Sequence, residues 1–301
     1  MNKKFDHISF LSDYGTTDEF VGIVKCVVAD IAPHVNVIDI THDIAAFDVR
    51  AGSLALARAI SYVPKGVIMA IVDPGVGTAR RAVAVSVSGG DGILIGPDNG
   101  LLATGVALAG GGEAAFELNK TEYHLAAPGT TFAGRDIFAS VAAHLCNGVP
   151  LSEVGTEIDV ASILPGIVPV PREEHGKMLA EVTWVDHFGN CQLNVGPDEI
   201  THMGSPVRVT IGSLTAATAG QQPVVRSVPI VRNFSEIGAG LGLVVDSFGM
   251  LALCIDRGSA AQQLDLGTTE LVVIEPDPQA GQGVATAVQI GSKQTPGAPE
   301  A

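Results

Sequence analysis

Residues 71–81 read I-V-D-P-G-V-G-T-A-R-R, and the organisation of the whole chain can be worked out from this stretch. The run before it, residues 66–72, is short, apolar and rich in β-branched residues, which predicts a strand buried on both faces. The strand ends at Asp73, and a turn with one proline and two glycines separates that acid from Arg80. Ligands of open α/β sheets bind beyond the carboxyl ends of the strands, so Asp73 and Arg80 are candidate catalytic residues. The alternative interpretation is a plain strand-turn-strand with a capping acid and solvated arginines.

Strands and helices alternate upstream of this stretch. Two apolar runs, 7–11 and 35–40, predict further strands, and helices are expected to begin near Thr16 or Thr17 and at Asp48. A β-α-β-α-β order implies parallel strands with right-handed crossovers, so the strand ends meet at one edge. An acid lies at each strand end, namely Asp13, Asp39 or Asp43, and Asp73. Three acids at one edge favour a polar ligand with hydroxyl or ammonium groups, whereas any one of them alone is commonly a cap.

The pattern changes after a proline-rich segment that begins at residue 163. Beyond it, short strands alternate with tight turns, which predicts a small β domain resembling a barrel. The fold class is therefore α/β, with an N-terminal, mainly parallel sheet sandwiched by helices and a smaller C-terminal β-barrel-like domain. The expected divisions are an α/β domain with the catalytic residues at 1–162, a linker at 163–176, a β domain at 177–275 and a disordered tail at 276–301.

Composition and charge argue against several classes of protein. Hydrophobic residues make up 47% of the 301 residues, yet no run approaches the roughly 18 apolar residues of a membrane span. The formal net charge is −15 and lysines and arginines do not cluster, which argues against nucleic-acid binding. The four cysteines are isolated and lack metal-ligand spacing, as expected of reduced thiols in a cytoplasmic protein without a metal site. Glycine spacings typical of dinucleotide or P-loop sites are absent from the sequence.

Residues 186–190 form the most informative loop of the second domain. Asp186 and Asn190 flank a glycine turn and offer an acceptor and an amide that could bind an amine or a purine edge. His187 between them is expected to be an ordinary loop histidine, because a second histidine at ligand spacing is missing. A similar segment begins at Asp246 and Ser247, and it is either a strand-end turn or a ligand clamp.

Five segments together resemble one known family, the S-adenosyl-L-methionine hydroxide adenosyltransferases, which are relatives of fluorinating and chlorinating enzymes. The resemblance runs from about Ser9 to about Ile274 and keeps the order and spacing of all five. The segments are S-D-Y-G-T-T-D at 12–18, V-D-P-G-V-G-T at 72–78, G-P-D-N-G-L-L at 96–102, T-F-A-G-R-D at 131–136 and D-H-F-G-N at 186–190.

This resemblance implies an enzyme that cleaves S-adenosyl-L-methionine to adenosine and L-methionine without a further cofactor. It also implies a homotrimer whose active sites lie between one subunit's large domain and its neighbour's β domain. Asp73 and Arg80 match two members of the family's Asp-Arg-His set, which positions and activates water. The implied substrate contacts are Asp13 to the ribose diol, Asp18, Asp186 and Ser247 to the methionine part, Asn190 to the adenine, and Phe47 packed on the ligand.

Two positions depart from the family pattern. The hydrolases usually have histidine where this sequence has Ala133, and asparagine where it has Asp246. Turnover could therefore be slowed, and a catalytically silent protein that binds S-adenosylmethionine or adenosine is an alternative. A halide-using adenosyltransferase is the other alternative, which Asp73 disfavours because a carboxylate facing the nucleophile site repels an anion.

Overall fold

The structure is a computed structural model that describes residues 4–212 and 223–279. Two compact units meet in sequence between Val170 and Pro171, inside the segment 163–176 expected to be a linker. Within that segment, Arg172–Glu174 forms a short strand. Of the tail expected at 276–301, residues 280–301 lie outside the described residues, and Pro276 ends a strand. Across the described ranges, no helix has the length and apolar character needed to cross a membrane.

The first unit is a mixed sheet with helices. Its described strands are β1 (His7–Ser12), β2 (Asn36–Thr41), β3 (Gly66–Ile71), β4 (Ala82–Val87), β5 (Gly92–Pro97), β6 (Ala114–Glu117) and β7 (Thr156–Ile158). Its described helices are α1 (Phe20–Ile31), α2 (Val49–Ala59), α3 (Ala103–Leu108), a π-helical segment (Gly134–Ala139) that continues into α4 (Ser140–Cys146), and α5 (Leu151–Val154). Short 3₁₀ turns occupy Ser88–Gly90, Thr121–Tyr123 and Val160–Ser162.

The strand order of this sheet is β2-β1-β3-β5-β4-β6-β7. The first four strands in that order pair in parallel, as the alternation of strands and helices predicts. The remaining pairs are antiparallel, because β4 turns directly back to β5 without a crossover helix. In the parallel part Ser12 pairs with Ile71, so the chain leaves β1 and β3 side by side at the same edge.

Both faces of the sheet are covered by helices, as predicted. Alternate residues of β3 point to opposite sides, as the period of two in a strand requires. Met69 and Ile71 belong to the core formed with α1 and α4, whereas Ile68 and Ala70 belong to the core formed with α2 and α3. The central strand is therefore buried on both faces, which is why it reads as an unbroken apolar run.

The second unit is a β structure with its own core. Its described strands are β8 (Arg172–Glu174), β9 (Lys177–Val185), β10 (Cys191–Leu193), β11 (Val207–Ile211), β12 (Val224–Val228), β13 (Ile230–Val231), β14 (Leu241–Val245), β15 (Leu251–Ile255) and β16 (Leu271–Pro276). The order β12-β11-β16-β9-β10-β15-β14-β13, with β12 also lying against β14, makes a nearly closed barrel, as predicted. Short helical elements at Pro197–Met203, Phe234–Glu236 and α6 (Ala260–Leu264) complete the described part.

Candidate active site

Asp73 and Arg80 form a shielded ion pair just beyond the end of β3. The Arg80 Nε atom donates to both carboxylate oxygens, at 2.8 and 3.0 Å, and a terminal guanidinium nitrogen also donates to Oδ2. The two side chains are only 6% and 14% exposed. The guanidinium carbon of Arg80 lies 5.3 Å from the centroid of the Phe138 ring, so the arginine also packs on that ring. The geometry excludes the alternative in which both arginines of the stretch are solvated.

Arg81, the second arginine of the stretch, binds other partners than Asp73. Arg81 donates through Nε to the buried Asp98 carboxylate at 2.9 Å and through a terminal nitrogen to the Ser162 carbonyl at 2.6 Å. Asn99 donates its side-chain amide to the carbonyl of Val72 at 2.8 Å. Through Asp98 and Asn99, the G-P-D-N-G segment therefore binds both ends of the loop between β3 and β4. The chain end that carries Asp73 is therefore fixed by residues other than the ion pair itself.

Asp13 lies in the neighbouring turn after β1. Its backbone N–H donates to the Ile71 carbonyl at 3.3 Å, and its Oδ2 accepts the backbone N–H of Phe47 at 2.9 Å. Phe47 has a φ of +69°, which is uncommon for a residue with a side chain, and its ring is 71% exposed. The structure thus brings Asp13 and the Phe47 backbone together. Asp18 is exposed in the segment that leads into α1.

Tyr14 joins this site, although it was not among the residues selected from the sequence. A Cβ atom placed on Gly134 would clash with the Tyr14 hydroxyl, and the Gly134 N–H donates to that oxygen. Burial raises the pKa of Tyr14 most, the charges of Asp13 and Asp73 raise it further, and Arg80 opposes them. Tyr14 therefore stays protonated at any physiological pH. The only sequence signal was its place beside Asp13 in the turn.

Ala133 is buried at the start of the π-helical segment, next to Gly134. It belongs to the same apolar cluster as Ile71 and Phe138, on the α1 and α4 side of the sheet. A Cβ atom on Gly77 would lie 3.2 Å from Thr130 Oγ1, so the loop before Ala133 packs on the turn between Asp73 and Arg80. The altered position is thus the residue before Gly134, which contacts the Tyr14 hydroxyl, and it shares an apolar cluster with Phe138, on which Arg80 packs.

In the second unit, Asp186, Asn190 and Ser247 line one cavity of about 300 Å³. Sequence reasoning missed Trp184 and Arg232, which also line it. A neighbouring cavity of about 600 Å³ shares Asn190 and Phe234 with the first and adds Phe188 and Arg257, and of these four residues only Asn190 had been selected from the sequence. Asp186 and Asp246 therefore line the first cavity together with Arg232, whereas the second combines the rings of Phe188 and Phe234 with Asp256 and Arg257.

Two turns in this unit have the same hydrogen bonds, and we call them the twin turns (residues 186–190 and 246–250). In the first, Asp186 Oδ1 accepts the N–H groups of Phe188 and Asn190, at 2.9 and 2.8 Å. In the second, Asp246 Oδ1 accepts the N–H groups two and four residues on, at 2.8 and 3.0 Å. Oδ2 differs, since the Asn190 side chain binds it in the first turn at 2.8 Å and Gln192 binds it in the second at 2.5 Å.

His187, between the first acid and Phe188, stacks edge-on against the Phe188 ring at 5.6 Å. Among the described residues, no group of three or more histidine, cysteine or acidic side chains is arranged to hold a metal ion. This loop therefore offers hydrogen bonds and an aromatic surface to a ligand.

Both units of this chain are similar to known proteins of one family. The profile of the SAM hydroxide adenosyltransferase N-terminal domain matches residues 8–155, and that of the C-terminal domain matches residues 180–273. The (R)-S-adenosyl-L-methionine hydrolase of Salinispora tropica is 43% identical, over 85% of this chain and 93% of that protein. The protein of that name from Thermus thermophilus is 35% identical, over 86% and 95%. A fluorinase from an Actinoplanes species is 30% identical, over 86% and 94%.

A solved structure shows the same fold. The crystal structure of an uncharacterized conserved protein from Thermotoga maritima superposes with a TM-score of 0.78 at 33% identity, covering 89% of this chain and 99% of the other.

Proposed function

This chain belongs to the SAM hydroxide adenosyltransferase family, and from that membership we propose that it is an enzyme that hydrolyses S-adenosyl-L-methionine to adenosine and L-methionine. The observation that carries the proposal is the shielded Asp73–Arg80 pair beyond the central strand, beside the Asp13 turn. Relatives named for this hydrolysis, at 35 to 43% identity over most of the chain, support it.

The reaction needs little acid–base help. A water oxygen forms a bond to the ribose 5′ carbon while the bond from that carbon to sulfur breaks. The electron pair of the broken bond goes to sulfur, which leaves as the neutral thioether of methionine, and the attacking water gives one of its two protons to Asp73 or to the solvent. Because the sulfonium charge is neutralised, a site that excludes bulk water favours the reaction. The leaving group therefore needs no proton donor.

We assign Asp73 and Arg80 to the water. Asp73 can accept a hydrogen bond from it, and Arg80 fixes the carboxylate through the bidentate contact. Both Asp73 oxygens already accept from Arg80, so positioning and electrostatic stabilisation carry more of the rate than strong general-base catalysis. Ala133 supplies no third polar group, so we expect slow turnover relative to an enzyme with histidine there.

The substrate contacts follow from the remaining side chains. Asp13 uses one oxygen for Phe47 and retains the other for the ribose hydroxyls. The cavity with Asp186 and Arg232 presents both signs of charge, which suits the ammonium and carboxylate of an amino acid. The full proposed set is Asp13 for the ribose, Asp18, Asp186 and Ser247 for the methionine part, Asn190 for the adenine, and Phe47 packed on the ligand.

We further propose that the active enzyme is a cytoplasmic homotrimer that uses no cofactor and whose sites combine one subunit's α/β domain with its neighbour's β domain. Light scattering should then report a trimer in the active fraction, and dilution that dissociates it should abolish activity. A fully active monomer would exclude the shared site.

Product analysis in ¹⁸O-labelled water tests the reaction. We expect adenosine that carries the label in its 5′ hydroxyl, with one methionine per adenosine. Asp73→Asn is the matched control, because it keeps the shape of the side chain but weakens its pairing with Arg80. A 5′-halogenated nucleoside formed in fluoride or chloride would favour the halide-using alternative. Recovery of bound, unreacted S-adenosylmethionine would favour the silent binding protein.

A further inference from the structure

A chain of polar side chains runs from the surface to the buried start of the Asp13 turn. Lys25 on α1 donates to Asp39 Oδ2 at 2.6 Å, and Asp39 Oδ1 lies 3.0 Å from His42 Nε2. His42 Nδ1 lies 2.7 Å from the Ser12 hydroxyl, whose oxygen accepts the Tyr14 N–H at 3.3 Å. Lys25 and Asp39 are partly exposed, whereas Ser12 and His42 are 0% and 5% exposed.

A β-bulge makes this arrangement possible. Phe10 of β1 pairs with Asp39, but Leu11 pairs with Thr41, so β2 carries one extra residue at this point. A bulge re-aims the side chains that follow it. Here the His42 ring packs edge-on against Phe10, with centroids 4.6 Å apart, and both ring nitrogens reach a partner.

The partners of the His42 ring indicate which of its nitrogens carries a hydrogen. An ionised Asp39 can only accept, so the Nε2 atom of His42 carries the hydrogen that faces it. When the ring is neutral, its Nδ1 atom is an acceptor and takes the Ser12 hydroxyl hydrogen. Each member of the chain is satisfied in this one tautomer.

The order serine, histidine, aspartate resembles the triad of a nucleophilic hydrolase, but the exposure excludes that use. Ser12 has no exposed surface, so a carbonyl substrate has no route to its oxygen. What Ser12 does touch is the turn itself. His42 also accepts the Gly15 N–H on its backbone carbonyl at 2.8 Å, so it holds both ends of the segment that contains Asp13.

We propose that His42 is a positioning residue that, anchored by Asp39 and Lys25, sets the Asp13 turn for ribose binding through its two contacts with Ser12 and Gly15. This inference rests on the proposed role of Asp13. Asp13 meets the ribose in both the bound substrate and the transition state, so loosening its turn weakens both equally. Such a change raises KM and leaves kcat nearly unaltered.

His42→Gln and His42→Asn separate the two sides of the ring. The longer glutamine can still reach Asp39 but gives up the Ser12 contact, whereas asparagine keeps an acceptor near the position of Nδ1. We expect His42→Gln to raise the Kd for adenosine and the KM for S-adenosylmethionine about five- to tenfold, roughly the worth of one hydrogen bond. We expect kcat to change by less than about twofold, and His42→Asn to recover most of the affinity.

The matched control is His34→Gln. His34 is also partly buried in the first unit, and it donates to the Phe5 carbonyl at 3.3 Å at the opposite end of the strands. It should change neither Kd nor KM. Ser12→Ala should mimic His42→Gln, and the double variant should lose no more affinity than the larger single change, because both remove one contact. If the affinity losses of the two single variants added up in the double variant, the proposed coupling of Ser12 and His42 would be wrong.

A role in stability alone is detected separately. A folded His42→Gln protein with lowered melting temperature but unchanged adenosine Kd would overturn the proposal. So would imidazole ¹⁵N resonances of the ligand-free protein that show mixed tautomers at His42. If the unaltered chain neither binds adenosine nor releases it from S-adenosylmethionine, the proposed function itself fails, and the ribose role fails with it.

Discussion

Ala133 and Tyr14 show how single side chains decide the chemistry of this site. Position 133 is buried next to Gly134 and ends in a methyl group, so it has no side-chain hydrogen bond to offer the water that we propose as the nucleophile. Tyr14 contacts the next residue, Gly134, and its hydroxyl stays protonated because burial and two nearby acids raise its pKa. The polar side chains available to the proposed nucleophile are therefore Asp73, Arg80 and Tyr14, which lie near the ends of β3, β4 and β1.

Introducing histidine at position 133 should restore a group that can hold or accept a proton near the water. We expect Ala133→His to raise kcat, since a positioned acid–base group contributes about 10²–10⁴-fold, with KM little changed. Adenosine release under saturating substrate measures it. Ala133→Leu is the control for bulk, and it should not raise kcat. Equal rates in the histidine variant and the original chain would show that this position is not rate-limiting here.

Gly134 is required by the close approach of the Tyr14 hydroxyl. Gly134→Ala should lower the free energy of unfolding by about 1–3 kcal/mol, the usual cost of overpacking. Urea denaturation of the purified protein gives the value. Adding Tyr14→Phe removes the oxygen that the new methyl group meets, so the double variant should regain part of the loss. A Gly134→Ala protein as stable as the original would contradict the contact.

At the scale of elements, the two helices that flank the site begin differently. The sequence predicted a cap at Thr16 or Thr17 for the first helix, and this was wrong. Helix α1 begins at Phe20, after Glu19, whose side chain does not cap it. Helix α2 begins as predicted, with the Asp48 carboxylate accepting the Ala51 N–H at 2.8 Å. The threonines lie in the exposed, irregular segment between β1 and α1, so they precede the helix without capping it.

Asp48→Ala should therefore destabilise the first unit by about 1 kcal/mol, the typical value of an N-cap. The melting temperature measured by circular dichroism should fall accordingly. Asp43→Ala is the control, because Asp43 is an exposed acid close by that caps no helix. If both substitutions had the same effect, general charge rather than capping would explain it.

At the scale of the molecule, much of the architecture could be read from the sequence. Residues 66–72 predicted the central strand, and the alternation before it predicted the parallel pairs. The antiparallel half of the sheet could not be read, because an apolar run such as 82–87 carries no sign of its direction. The contact between Tyr14 and Gly134 was also out of reach, since it joins segments far apart in the chain. Periodicity reports what is local.

The burial of most thiols gives a test of the intact fold. Burial raises the pKa of Cys146 to about 12, that of Cys191 to about 11 and that of Cys254 to about 12, whereas Cys26 is exposed. A disulfide reagent at pH 8 should therefore titrate one thiol rapidly in the native protein and four after denaturation, because only thiolates react. Rapid reaction of two or more thiols in the native state would contradict the burial of Cys146, Cys191 or Cys254.

The twin turns also bear on how this sequence can change over generations. In the first turn the Asp186 carboxylate is bound only by groups of the same five residues, while the Gly189 carbonyl accepts the Ala261 N–H at 3.0 Å. The second borrows an amide from Gln192 on the neighbouring hairpin. Asp186 and the residues that bind its carboxylate could therefore be replaced together in evolution, as one segment of five residues. Positions 192 and 246 are joined by this hydrogen bond. A replacement at either position alone would break it, so we expect the two positions to change together.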